Sequence, residues 1–275
     1  MDGTDIITSR QNPRVQALSR LRERPERRER GLFLVEGCRE LSRAFAATAI
    51  GAVVEEVYFC PSLFKGDAAS VALLAAARAR GTALCELGES AFEKVSGREG
   101  ADGLLGVVRA WSVSPADLVL PENPLLLVVE AVEKPGNLGA LFRTADSAGC
   151  AALICCDAVA DIFNPSVVRA SQGALFSMPC AVASTAEVAS FLAAKRVTVF
   201  ATAPAAEKTL WDADFRGASA ILLGSEKDGL SDFWFGAVGV EKIGIPQAGL
   251  SDSLNVGVAG AICLFEAVRQ RREKK

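Results

Sequence analysis

Hydrophobic and polar positions follow two alternating rhythms along this chain. Short apolar runs, LFLVE (32–36), VEEVYFC (54–60), TALCEL (82–87) and LLGVVRAW (104–111), read as strands. Between them, 38–49, the alanine-rich 68–80 and a segment around 89–95 carry helical periodicity. An Arg-rich first segment is also helical, with Val15, Leu18 and Leu21 on one face and Pro25 interrupting it. From residue 125 the alternation becomes regular: strands LLLVVE (125–130), AALICC (151–156), a short one near 178–182, VTVFAT, SAILLG and KIGI (242–245). Helices are predicted at 138–148, 165–172, 186–195, near Ser231 and over 254–272. Repeated strand-to-helix units of this kind predict an α/β protein with a mostly parallel sheet covered on both faces. In the last helix, Leu254, Val258, Ile262, Phe265 and Val268 recur as a stripe expected to pack on that sheet.

The stretch SVSPADLVLPENP (112–124) holds three prolines between two apolar strands, the mark of an inter-domain linker. It divides the chain into a smaller α/β domain, 1–111, and a larger one, 125–275, and 275 residues suffice for two cores. Charge is distributed unevenly. Residues 1–30 carry a net +3 and residues 269–275 a net +4, so a chain of net charge −3 has a body of −10 between two basic ends. Basic ends suit a polyanion such as RNA, although they also serve simply as solubilising decoration. The absence of any histidine removes Ser-His-Asp and Cys-His nucleophiles, HExxH zinc sites and imidazole proton shuttles together. The eight cysteines form no CxxC pair and sit mostly in apolar stretches, as buried thiols of a reducing cytoplasm; no metal site is expected. With no run of 18 uncharged apolar residues and no signal-peptide pattern, the chain is read as cytoplasmic and not membrane-bound.

In open α/β sheets ligands bind beyond the carboxyl ends of the strands, so the strand-to-helix loops are where chemistry is sought. Three stand out. EAVEKPGNLGALFRTADSAG (130–149) has a Pro-Gly turn, Asn137 at a helix N-cap position and Arg143 two turns in. LLGSEKDGLSDFW (222–234) ends a strand on Gly224-Ser225-Glu226 and places Gly229 before a helix. IGIPQAGLSDSLNVGVAGA (243–261) runs from a strand through Ile245 and Pro246 to Ser253, Leu254 and Asn255 at the start of the last helix. Singly, each has a plain structural reading: Asn137, Ser253 and Asn255 as helix caps, the glycines as turn residues, Glu226 as a solvated carboxylate. The GxGxxG and GxxxxGK[ST] nucleotide loops are absent, against a dinucleotide or P-loop enzyme.

Taken together and in this order, the three loops resemble the signature of the SpoU-type (TrmH) RNA 2′-O-ribose methyltransferases of the SPOUT superfamily. Pro135, Asn137, Gly139 and Arg143-Thr144-Ala145 match the first motif, Gly224-Ser225-Glu226 with Gly229-Leu230 the second, and Ile245-Pro246 with Ser253-Leu254-Asn255-Val256 the third. Glu133-Lys134 before the proline and Gly257 after the last motif depart from the common pattern. SRQNPRVQALSRL and ERRERGLFLVEGCRE resemble the family's RNA-substrate-binding domain. The resemblance implies a C-terminal SPOUT-type domain with a deep trefoil knot, preceded by that smaller domain, and a homodimer. It implies S-adenosylmethionine as cofactor, held at Leu223, Gly224, Ile245, Pro246, Ser253 and Leu254. It places Arg143, Asn137, Glu226, Ser253 and Asn255 at the catalytic centre. Since a guanidinium is protonated up to a pKa of about 12 or more, Arg143 is read as binding a phosphate and stabilising a developing alkoxide rather than as a base. Asn137 and Asn255 are read as orienting the ribose and the loops, and Glu226 as positioning Arg143 or the substrate. The expected substrate is ribosomal RNA, with transfer RNA as the alternative; a noncatalytic RNA-binding protein on the same fold and a metabolic α/β enzyme are the competing classes.

Overall fold

The computed structural model describes residues 6–64, 66–97, 100–204, 206–237, 239–250 and 253–272. The chain forms two compact units, one of residues 1–111 with 162–177, the other of 112–161 with 178–275. The terminal residues of the two basic ends, 1–5 and 273–275, lie outside the described residues.

In the first unit, α1 (Pro13–Arg20) starts where Asn12 accepts a hydrogen bond from the Arg14 amide, and Pro13 supplies the fixed φ that suits a first helical position. After α2 (Arg24–Arg30), Gly31 takes the left-handed conformation that ends the helix and turns the chain into β1 (Leu32–Glu36). There follow α3 (Cys38–Ala46), β2 (Val53–Phe59), α4 (Pro61–Phe64), α5 (Ala68–Ala79), β3 (Ala83–Glu86), α6 (Glu89–Val95) and β4 (Leu104–Arg109). The sheet order is β1-β4-β2-β3, with β4 antiparallel to both neighbours and β2 parallel to β3. Its core gathers Val15, Leu18, Leu21, Tyr58 and Phe92.

The second unit opens with β5 (Leu125–Glu130), buried at every position, then α7 (Pro135–Ala148) and β6 (Ala152–Cys156). The chain next contributes α8 (Pro165–Ala170) and a 3-10 turn, 174–176, to the first unit. There Phe163 and Phe176 surround the Phe33 ring, with Trp111 edge-on to Phe33 and Phe163. Residues 162–177 lie inside the stretch expected to form the second domain; the aromatic cluster is what draws them to the first unit. Back in the second unit come β7 (Cys180–Ala183), α9 (Thr185–Ala194) with a Ser184–Glu187 capping box, β8 (Thr198–Thr202), β9 (Ser219–Leu223), α10 (Asp232–Gly236), β10 (Val240–Ile243) and α11 (Val256–Arg272). The six strands are all parallel in the order β10-β8-β9-β5-β6-β7, and the near-continuous apolar runs are what burial on both faces of such a sheet requires.

Three expectations are corrected here. Strand β10 ends at Ile243, because Gly244 leaves the ladder to exchange backbone hydrogen bonds with Lys208 and Leu210; Ile245 therefore belongs to the loop. The last helix begins at Val256, so Leu254 and Asn255 precede it. Its inward face is Val256, Gly260, Cys263, Leu264 and Ala267, whereas Val258, Ile262 and Phe265, three members of the expected sheet-facing stripe, are 48%, 38% and 49% exposed. Gly260 decides the rotation, since a Cβ there would stand 2.9 Å from side chains of both Leu141 and Leu223, so this small residue marks the side pressed against α7 and β9. The eight cysteines are thiols outside any disulfide and all but Cys38 are buried; burial pushes the thiols of Cys150 and Cys263 up to about 12. Among the described residues no helix is long and apolar enough to cross a membrane.

Candidate active site

The sheet reverses direction of growth between β5 and β9, and the loops leaving those two strands form the site. At the end of β9 the chain folds sharply back on itself. Ser225 and Gly229 exchange backbone hydrogen bonds of 3.0 and 3.2 Å, and the Ser225 hydroxyl accepts from the Asp228 amide at 3.0 Å. A Cβ on Gly224 would stand 2.2 Å from the Gly229 carbonyl carbon, and Gly229 itself has φ +69°. Both glycines are thus required by the turn, and the turn presents Glu226 towards β5.

Asn137 meets it. The first turn of α7 starts at Pro135, two residues earlier than the N-cap position expected for Asn137, because proline at the first helical position is pre-set for the helix. Asn137 is consequently inside the helix, and its side chain is free for other use. Its Nδ2 donates to Glu226 Oε1 at 2.5 Å, and its Oδ1 accepts from Asn255 Nδ2 at 3.3 Å. Asn255 Oδ1 then accepts from the Gly257 amide at 2.9 Å. The relay begins at an acceptor and ends at a backbone donor, which dictates the orientation of both amides. Asn255 therefore does cap α11 and at the same time joins the third loop to the first two. The Glu133 amide also points at Glu226 Oε2, 3.5 Å away. Burial raises the Glu226 pKa, but the Asn137 side chain, the backbone donors and the charge of Lys134 together outweigh it and hold the carboxyl below its ordinary range.

Beside this relay lies a cavity of about 530 Å³ at the ends of β8, β9 and β10, a size typical of small-molecule sites. Leu223, Gly224, Ser225 and Glu226 form one wall, Ile245, Gln247 and Ser253 to Val256 another, and Thr202, Ala203 and Pro204 a third. Of the expected cofactor residues, Leu223, Gly224, Ile245, Ser253 and Leu254 line it; Pro246 is exposed and does not. Arg143 is exposed on α7, two turns beyond Pro135; among the described residues its guanidinium has no hydrogen-bond or ion-pair partner, so Glu226 is engaged by Asn137 and not by Arg143. Sequence reasoning did not find the 202–204 wall, Lys134 or Gln247. The signal for 202–204 was its place after a strand, usable only once β8 is known to neighbour β9.

This is an all-parallel α/β domain whose ligand cavity spans three strand ends without a nucleotide-binding glycine loop, and whose three loops are locked by a Glu–Asn–Asn relay: a SpoU-type methyltransferase domain. The profile of the SpoU rRNA Methylase family matches residues 124–265, and that of the MRM3-like substrate binding domain matches 12–106. The chain belongs to the SpoU rRNA methylase family. It is 34% identical over 226 residues to the 23S rRNA (guanosine-2′-O-)-methyltransferase RlmB of Ralstonia nicotianae, covering 79% of this chain and 88% of that one. The crystal structure of an RNA 2′-O ribose methyltransferase superposes with a TM-score of 0.84 at 36% identity, over 98% of this chain and all of the other. An AdoMet-bound rRNA methyltransferase from Sinorhizobium meliloti also gives 0.84, at 29% identity over 96% and 97% of the two chains.

Proposed function

We infer that this chain methylates the 2′-hydroxyl of a ribose in ribosomal RNA, with S-adenosylmethionine as the methyl donor. The observation that carries the reading is the Glu226–Asn137–Asn255 relay, which draws all three family loops to the rim of one cavity. The relatives support the substrate and donor, being named as 23S rRNA 2′-O-methyltransferases and, in one solved structure, as AdoMet-bound. The cavity fits a nucleoside-bearing ligand: its volume is adequate, Leu223, Ile245 and Leu254 offer apolar walls, and the strand-end backbone offers polar edges.

S-adenosylmethionine, when bound, supplies an electrophilic methyl on a sulfonium. Leu223, Gly224, Ile245, Ser253 and Leu254 hold it, and Pro246 stiffens the turn that follows Ile245. Asn137, Asn255 and Glu226 keep the loops in register, while Ser253, on the cavity wall, orients the ribose with them. Arg143, unengaged among the described residues, binds the phosphate next to the target ribose and stabilises the negative charge that develops on the 2′-oxygen. The reading includes a trefoil-knotted passage of the last third of the chain. It is supported by α11, which follows edge strand β10 yet packs on α7, β5 and β9 in the middle of the sheet. It also includes a homodimer, supported by the outward apolar face Val258, Ile262 and Phe265.

Calorimetric titration with S-adenosylmethionine tests the donor, and comparison of 2′-O-methyl sites in ribosomal RNA from cells with and without the protein tests the substrate. Saturable 1:1 binding and one missing methyl site are expected; no heat of binding, or a missing site only in transfer RNA, would contradict the reading.

A further inference from the structure

Glu130 terminates a strand that is otherwise wholly apolar, and it is 4% exposed. A buried carboxyl group needs several donors to be tolerated, and all of those found here come from outside its own strand. Oε2 accepts from the Ser231 amide at 2.8 Å; Oε1 is reached by the Ser231 hydroxyl at 2.7 Å, the Trp234 indole N–H at 3.0 Å and the Thr185 hydroxyl at 3.0 Å. The Ser231 and Trp234 groups stand where α10 begins, two residues past the Gly224–Gly229 turn. Thr185 opens α9 and also bonds to Asp157, on the side away from that turn.

We propose that Glu130 is a positioning residue for the cofactor cavity: it clasps the far end of loop 224–230 through Ser231, so that the loop is pinned by β9 at one end and by Glu130 at the other. The proposal rests on the reading that this cavity holds S-adenosylmethionine. Between those two ends the loop is held by bonds internal to it, Ser225 with Gly229 and with the Asp228 amide, and near its middle by the contacts of Glu226 with Asn137 and the Glu133 amide. Glu226 thus ties the middle of the β9 loop to the β5 loop, and Glu130 ties its far end to the end of β5. Glutamine at 130 is nearly isosteric but places an amide N–H₂ against an obligate donor, either the Ser231 amide or the Trp234 indole N–H. The loop end is then released and a buried donor is left unpaired.

The two arms of the network separate positioning from general stability. Amide hydrogen exchange of Asp228 and Gly229 is measured by NMR in the full chain without cofactor, for wild type, Glu130→Gln, Ser231→Ala and Thr185→Val. Tenfold or faster exchange in Glu130→Gln and Ser231→Ala is expected, with Thr185→Val unchanged at these amides though lowered in Tm. Titration with S-adenosylmethionine then gives a Kd raised fivefold or more in the first two and unaltered in the third. Exchange within twofold of wild type in both Ser231→Ala and Glu130→Gln, or equal acceleration in Thr185→Val, overturns the proposal. Should Glu130→Gln fail to fold, Ser231→Ala decides alone. A wild-type protein that binds no cofactor refutes the cavity's assignment, while the exchange rates still judge Glu130.

Discussion

Gly224 and Glu226 lie two residues apart and serve the site by opposite means, one by lacking a side chain and the other through a carboxylate held in its charged form. Gly224→Ala forces a Cβ into the Gly229 backbone and is expected to destabilise by about 1–3 kcal/mol, as overpacking does, with cofactor affinity lost; thermal unfolding and calorimetry check both. For Glu226 the folded pKa is depressed, so its contribution to stability is present above the unfolded carboxylate value and is lost as pH falls through the folded one. The stability difference between wild type and Glu226→Gln is accordingly expected near neutrality and to shrink as pH falls below the ordinary carboxylate range. Asn137→Ala, which removes the principal donor, moves the Glu226 titration upward in a carboxyl NMR experiment; no movement would disprove the relay's role. Ala131, next to Glu130, has φ +51°. Ala131→Gly is expected to stabilise by up to about 1 kcal/mol, left-handed strain of roughly 1–2 kcal/mol being relieved against glycine's added chain entropy. At this scale the sequence was informative about which residues matter and less so about what they touch. Asn137, Glu226 and Asn255 were legible through their motifs, but their mutual bonding depends on loops 89 and 118 positions apart. The arginines were the reverse. Arg27 is buried against the Leu21 and Arg22 carbonyls, and Arg271 holds the carbonyls of Asn123, Pro124, Phe215 and Gly217, so part of each basic end is structural cement.

Among the elements, the strands were the most legible and α11 the least. Buried parallel strands leave unbroken apolar runs that no other element mimics over so short a length. A helix apolar around most of its circumference carries no periodic signal to tell its two faces apart, and the deciding residue in α11 is Gly260, which adds nothing to a hydrophobic pattern. The observed rotation gives the outward face a testable consequence. Ile262→Glu with Phe265→Glu, at exposed positions, is expected to leave the fold's Tm nearly unchanged while reducing a mass near twice 28.8 kDa to that of a single chain in light scattering, and to reduce activity with it. A wild-type protein that is monomeric and fully active would refute the dimer.

For the whole molecule, the proline-bearing stretch 112–124 marked a division, yet residues 162–177 pack with the first unit. That return was hidden because an aromatic cluster built from positions 33, 111, 163 and 176 has no sequence-local signature. Deleting residues 1–110 removes Phe33 and uncovers Phe163 and Phe176. The truncated chain is expected to bind S-adenosylmethionine but to melt lower and to expose apolar surface to a hydrophobic dye; an undiminished Tm would contradict this. The central claim, that an Arg143 without a partner among the described residues acts on RNA beside a cofactor cavity that does not include it, is met most directly by one assay. Unmodified ribosomal RNA transcript is incubated with the protein and S-adenosylmethionine labelled on the methyl, and the label is located after alkaline hydrolysis. The account predicts label in alkali-resistant, 2′-O-methylated dinucleotides with wild type and none with Arg143→Ala, whose cofactor Kd stays within a few fold. Label on a base, or turnover by Arg143→Ala comparable to wild type, would contradict it.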